Sequence, residues 1–167
     1  AAGVVVAGLT SASFRMVGPV YGLEVGLSVD QIAFFLASFV LGGALAQLPV
    51  GWIADKYDRR WVLIGLSVAA IITSLLAILV GAEMQSLVFG AAFLFGLTTF
   101  PIYSVATAHG SDFARTDQMV ELSAAFMFLF ALGAIASPVV ASALIEAYGP
   151  KALFLFIALA HVVLTVV

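Results

Sequence analysis

Arg15 is the one charged residue in the first 23, AAGVVVAGLTSASFRMVGPVYGL. It lies about twelve residues into an apolar run, roughly 18 Å along a helix from its start. Insertion scales put a mid-membrane arginine at about 2.5–3.5 kcal/mol, so such a side chain should face protein or water rather than lipid. Gly8, Ser11, Arg15, Gly18 and Gly22 recur at spacings of three and four, which makes one small, polar helix face. Pro19 is expected to kink the helix there. Two readings fit Arg15. It is a cavity-facing cation for an anionic substrate group, or it snorkels outward or pairs structurally with another helix.

Thr99 and Tyr103 are a second candidate pair. They share a face with Ala92, Gly96, Ala106 and Gly110, and Pro101 between them frees a backbone carbonyl. Their hydroxyls can donate to a ligand, satisfy the broken helix, or bond across helices. Gln47 lies deep in an apolar run and needs a polar partner, structural or functional. His161 invites a proton-relay role. Its helical neighbours Phe154, Ile157, Leu164 and Thr165 offer it no charged partner. His109, Glu121 and Glu146 fall near ends of apolar runs, where interfacial or solvated positions are expected. No enzyme constellation is present: there is no phosphate-binding glycine loop, no His-Glu-x-x-His and no Gly-x-Ser-x-Gly. With no cysteine, disulfides and thiolate sites are excluded, and no metal or cofactor is expected.

Composition says what must hold these residues. The chain is 64% hydrophobic and 9% charged, against about 25% charged in a soluble domain. Its mean hydropathy is +1.24, and no basic stripe marks a nucleic-acid partner. A membrane helix needs about 20 mainly apolar residues. The chain reads as an all-α membrane protein with six transmembrane helices over 2–23, 29–54, 60–82, 86–109, 117–147 and 150–167, forming a single bundle. Ser28 and Gln31 make a capping box before the second span, with Asp30 in its first turn. Gly81 is expected to stop the third span and Gly110 the fourth. Thr116 or Asp117 is expected to cap the fifth, Gly149 to end it, and Pro150 to suit the next first turn. Ser38, Gly42 and Ala46, and Gly133, Ser137 and Ala141, repeat small residues every four positions for close helix packing, and Pro138 adds a bend. The chain opens without methionine and ends in an apolar run, so both ends are expected to be cuts near or within helices.

A third of the charge falls in residues 51–60, GWIADKYDRR, between two apolar runs. Lys56, Arg59 and Arg60 in this loop, with Arg115 in the fourth-to-fifth loop, outnumber Lys151 opposite, beside Glu24 and Glu83. The positive-inside rule then places both chain ends in the cytoplasm.

The same stretch resembles the signature of the major facilitator superfamily of secondary transporters, Gly-x-x-x-Asp-x-x-Gly-Arg-Arg/Lys. Gly51, Asp55, Arg59 and Arg60 match in register, and Asp58 stands where the family has glycine. Asp tolerates tight turns and the left-handed region better than most residues. The fourth span lacks the early arginine of N-terminal halves and resembles the family's tenth helix. "GAIASPVVASALIEAYGPKALFLFIA" resembles its eleventh and twelfth. Pro49, Gly51, Ala54, Asp55 and Lys56 are similar to the approach to this loop in the YcaD-like group of bacterial permeases. The resemblance implies helices 7–12 of a twelve-helix transporter whose N-terminal six-helix half lies outside this chain.

The resemblance also implies an activity and a set of roles. The activity is secondary active transport of a small solute across the bacterial inner membrane by alternating access; a proton is one candidate coupling ion, which the sequence does not name. The first and fourth helices of a half line the cavity, so Arg15, Thr99 and Tyr103 become substrate-side candidates, with Gln47 beside them. The third and sixth lie outside, which moves His161 away from the site. Asp55 becomes a gate residue that caps a helix start across the gap between halves in one state. The rival is a stand-alone six-helix membrane protein, a homodimeric carrier or a scaffold, and the gene's reading frame separates the two.

Overall fold

The computed structural model describes residues 1–80 and 85–166, all helices and connections, with no strand among the described residues. Gly81 and Glu83, at the expected third-to-fourth turn, lie outside them. The first span comprises α1 (Ala2–Ala12), a π-helical turn (Ser13–Val17) and α2 (Gly18–Glu24); the second is α3 (Val29–Lys56) and the third α4 (Arg59–Leu79). The fourth comprises α5 (Gln85–Thr99) and α6 (Pro101–Ser111), which meet at Phe100. A single 3₁₀ turn, Thr116–Gln118, leads into the fifth, α7 (Met119–Tyr148), and α8 (Ala152–Val166) is the last. Five spans are long and apolar enough to cross a membrane, and α8 is a shorter apolar helix of 15 residues.

Local signals explain most boundaries. The Ser28 hydroxyl accepts from the Gln31 amide at 3.3 Å while the Gln31 side chain accepts from the Ser28 amide at 2.8 Å, the expected capping box. Gly149 ends α7 at φ +83°, a left-handed conformation that favours glycine. The fifth span departs from expectation. Neither Thr116 nor Asp117 caps α7; Gln118 stands at its N-cap without a side-chain bond, and Asp117 pairs with Arg115 at 2.9 Å instead. The fourth span runs one residue past Gly110 to Ser111, and α7 runs unbroken through Pro138.

The spans pair in a fixed pattern: first with fifth, second with fourth, third with sixth. Exchanging the first three spans for the last three maps this pattern onto itself, the property of an internal repeat. Two crossings bring backbone onto backbone. A Cβ on Gly42 would lie 2.0 Å from the Phe93 carbonyl oxygen, and one on Gly96 would lie 1.9 Å from that of Phe39. The α1–α7 crossing repeats the arrangement: a Cβ on Gly8 would lie 2.1 Å from the Phe130 carbonyl, and one on Gly133 would lie 2.2 Å from that of Val5. Lipid offers no hydrophobic drive between helices, so such close van der Waals approach is what joins them.

Aromatic rings fill the centre. Phe14 stacks on Phe35, Phe39 and Phe95 at 4.1–5.1 Å and meets Phe154 edge-on at 6.3 Å, tying the first, second, fourth and sixth spans together. Each such pair contributes about 0.5–1.5 kcal/mol beyond area burial. Outward, Leu41, Leu45 and Leu48 on α3, Ile72, Leu76 and Leu79 on α4, and Ile135 and Val139 on α7 are exposed, an apolar belt suited to acyl chains. At one end of the bundle, Ala1, Arg60, His109 and Thr165 line a common cleft of about 370 Å³, so both described ends share a face with the 51–60 loop.

Candidate functional site

A mid-span cleft of about 200 Å³ is lined by Arg15, Gln47, Thr99 and Tyr103 together with Ala7, Thr10, Ser11, Phe39, Phe100, Ser104 and Phe130. It collects side chains from the first, second, fourth and fifth spans. Two helix irregularities meet there. The π-helical turn carries Arg15 at its centre, and the α5–α6 junction places Phe100 before Pro101. Such bulges and breaks re-aim side chains and concentrate at functional sites. Successive residues on a helix point about 100° apart, so the inward anchoring of Phe14 turns Arg15 away from the core and into the cleft.

Each expected residue behaves differently once placed. The Arg15 guanidinium stands over the Phe100 ring, 5.3 Å from its centroid, a cation–π contact. Among the described residues it makes no ion pair. The Thr99 hydroxyl donates to the Phe95 carbonyl at 2.8 Å, so it serves its own helix. Tyr103 packs edge-on against Phe130 at 5.3 Å, and its hydroxyl has no hydrogen-bond partner among the described residues. Gln47 accepts a 3.2 Å bond from the Ser104 hydroxyl. Gln47 and Ser104 also line a second cleft of about 210 Å³ that reaches Gly51, Asp55 and Arg59. The Gln47–Ser104 bond therefore stands between the mid-span cleft and the charged loop.

The two stripes read from the sequence do not survive as single faces. Ser11 and Arg15 line the cleft, whereas Gly8 packs on the α7 backbone and Gly18 faces Phe35 and Leu36 of α3. In the fourth span Thr99 and Tyr103 line it, whereas Gly96 is used by α3 and Gly110 lies under the Phe126 ring. Gly8 and Ser11 already diverge within α1 and Gly96 and Thr99 within α5, whereas Thr99 and Tyr103 share the cleft from either side of the break.

In the charged loop, Arg59 is the hub. It bonds Asp55 at 3.2 Å within its own motif, and across the bundle it bonds Asp112 and the Ala108 carbonyl at the end of the fourth span. Asp55 remains 74% exposed. Asp112 escaped the sequence reading because its partner is distant in sequence and no helical spacing connects them. Asp58 is not in the left-handed region: at φ −56° it caps α4, its carboxylate accepting from the Arg60 amide at 2.8 Å. The departure from glycine thus has a local use. Gly51 has open space where a Cβ would be, so packing within this chain does not demand glycine there. Lys56 lies over the Trp52 ring at 3.7 Å, a cation–π contact.

His161 is fully buried rather than peripheral. Its Nε2 is 3.2 Å from the hydroxyl of Thr10, a residue that lines the cleft, and its Nδ1 has no partner. Local spacing missed this contact because the partner is on the first span. Phe39, Phe100 and Phe130 were also missed, since nothing sets three phenylalanines apart among fourteen.

Comparison with known proteins gives the family. The Major Facilitator Superfamily model matches residues 1–167. A protein of Yersinia pestis (strain Pestoides F) named as an uncharacterized MFS-type transporter is 31% identical over 156 residues, 93% of this chain and 40% of that protein. Relatives from Enterobacter sp. (strain 638), at 30%, and Escherichia fergusonii, where the protein is named YcaD, at 29%, match over the same shares. The chain therefore spans about 40% of the length of these curated relatives. Matched from its first residue to its last by the family model, the chain belongs to the major facilitator superfamily of multi-pass membrane transporters.

Proposed function

We propose that this chain is one six-helix half, helices 7–12, of a secondary transporter that moves a small solute across the bacterial inner membrane by alternating access. The observation that carries this reading is the mid-span cleft, where Arg15, Gln47, Tyr103 and Thr99 converge around two helix irregularities. Transporters of this architecture place solute at the bilayer midplane, between repeats, at interrupted helices. The relatives' greater length supports a second half outside this chain. Basic residues on the 51–60 loop support a cytoplasmic position for that face.

The charged loop supplies the gate. Asp55 is exposed and held beside Arg59, ready to meet a helix N-terminus of the other half in one state. A carboxylate there stabilises that state by about 0.3–1 kcal/mol. The test is Arg15→Gln in the intact protein. Solute binding should be lost while the protein still reaches the membrane. Unaltered solute affinity would make Arg15 structural and remove the cleft from the site.

A further inference from the structure

We propose that the mid-span cleft selects a planar organic monocarboxylate. This rests on the reading of the cleft as a solute site and narrows that site to one chemical class.

Charge is the first argument. Among the described residues, Arg15 is the sole cation lining the cleft, and no carboxylate lines it. Within this half, a cationic solute would meet a guanidinium with no carboxylate beside it, whereas an anionic one would pair with it. A phosphate monoester carries about −1.5 to −2 charges near neutral pH, more than the one guanidinium of this half balances. A carboxylate carries one charge and fits the planar fork of arginine with two parallel bonds.

Shape is the second argument. Two aromatic pairs wall the cleft: Phe39 with Phe100, centroids 5.1 Å apart, and Tyr103 with Phe130, 5.3 Å apart. Phe100 is also the ring beneath the Arg15 guanidinium. A flat solute whose carboxylate reaches Arg15 would lay its body along these rings, where stacked and edge-on contacts are favourable. The remaining donors suit an anion as well. With its carbonyl oxygen engaged by Ser104, Gln47 still presents its NH₂ group, and the Tyr103 hydroxyl can donate.

The test uses the purified intact protein and five probes: benzoate, cyclohexanecarboxylate, benzamide, phenyl phosphate and benzylamine. Thermal stabilisation against concentration gives an affinity for each. Benzoate should stabilise saturably and bind about tenfold tighter than benzamide, the scale of one charge-assisted pair. Cyclohexanecarboxylate should bind more weakly than benzoate, and benzylamine and phenyl phosphate should not stabilise. Arg15→Gln should abolish the benzoate effect. Phe100→Leu should retain carboxylate binding but lower the preference for the flat ring, since Phe39, Tyr103 and Phe130 remain. No stabilisation by benzoate, or equal or tighter binding of benzamide, benzylamine or phenyl phosphate, overturns the inference. So does a flat-ring preference left unchanged by Phe100→Leu. Should a neutral or cationic solute be transported and its binding depend on Arg15, the transporter reading stands and this inference alone falls.

Discussion

Phe14 is fully buried in the aromatic stack and Arg15, the next residue, is exposed to the cleft. That contrast shows what single residues could disclose in advance. Arg15 was legible because a charge inside an apolar run has to be accounted for. The use of Asp58 was not, because a residue's φ is invisible in sequence and family glycine suggested a left-handed turn. The structure makes Asp58 an N-cap, and the two ideas predict opposite outcomes. Asp58→Ala should cost about 1 kcal/mol and Asp58→Gly only a few tenths, both destabilising, in thermal unfolding of the intact protein. Stabilisation by Asp58→Gly would restore the left-handed turn. The Thr10–His161 bond gives a second test at this scale. Thr10→Val leaves the buried imidazole with neither nitrogen paired among the described residues. It should lower stability by about 1–2 kcal/mol, and an unchanged melting temperature would show that the bond contributes nothing.

At the scale of elements, the apolar runs coincide with helices, five of them long and apolar enough to cross a membrane, because a bilayer demands one length and one composition. Faces were harder. The stripes through Gly8 and Arg15, and through Gly96 and Tyr103, assumed that one spacing marks one face, yet their glycines pack against neighbouring helices while their polar residues line the cleft. Spacing does not reveal a π turn such as the one that carries Phe14 and Arg15. The small-residue repeats fared better, since Gly42 and Gly133 do lie at close crossings. Gly42→Ala and Gly96→Ala should each push α3 and α5 apart and cost about 1–3 kcal/mol or more. Gly65→Ala and Gly90→Ala, where a Cβ meets nothing within 4 Å, should be neutral or stabilising by up to about 1 kcal/mol. Equal effects at all four positions in a detergent melt would refute this account of the crossings.

The whole molecule joins a mid-span cleft to a charged face through the Gln47–Ser104 bond and the shared second cleft. Asp112 was invisible in sequence, yet it ties the end of the fourth span to Arg59 on the third. Asp112→Asn should therefore shift the conformational equilibrium as Asp55→Asn does, by about two- to fivefold, the effect of losing a pair worth roughly 0.5–1 kcal/mol. Thiol accessibility at the face that carries the 51–60 loop reads that shift, and opposite directions for the two variants would separate Asp112 from Asp55. The most direct test of the central claim uses the absence of cysteine from this sequence. Ser11→Cys is placed in the cleft of a cysteine-free intact protein, in sealed vesicles of known orientation, and treated with a membrane-impermeant thiol reagent from each side in turn. Alternating access predicts reaction from both sides, each slowed when the equilibrium is driven toward the other state. Reaction from one side alone under every condition would contradict it.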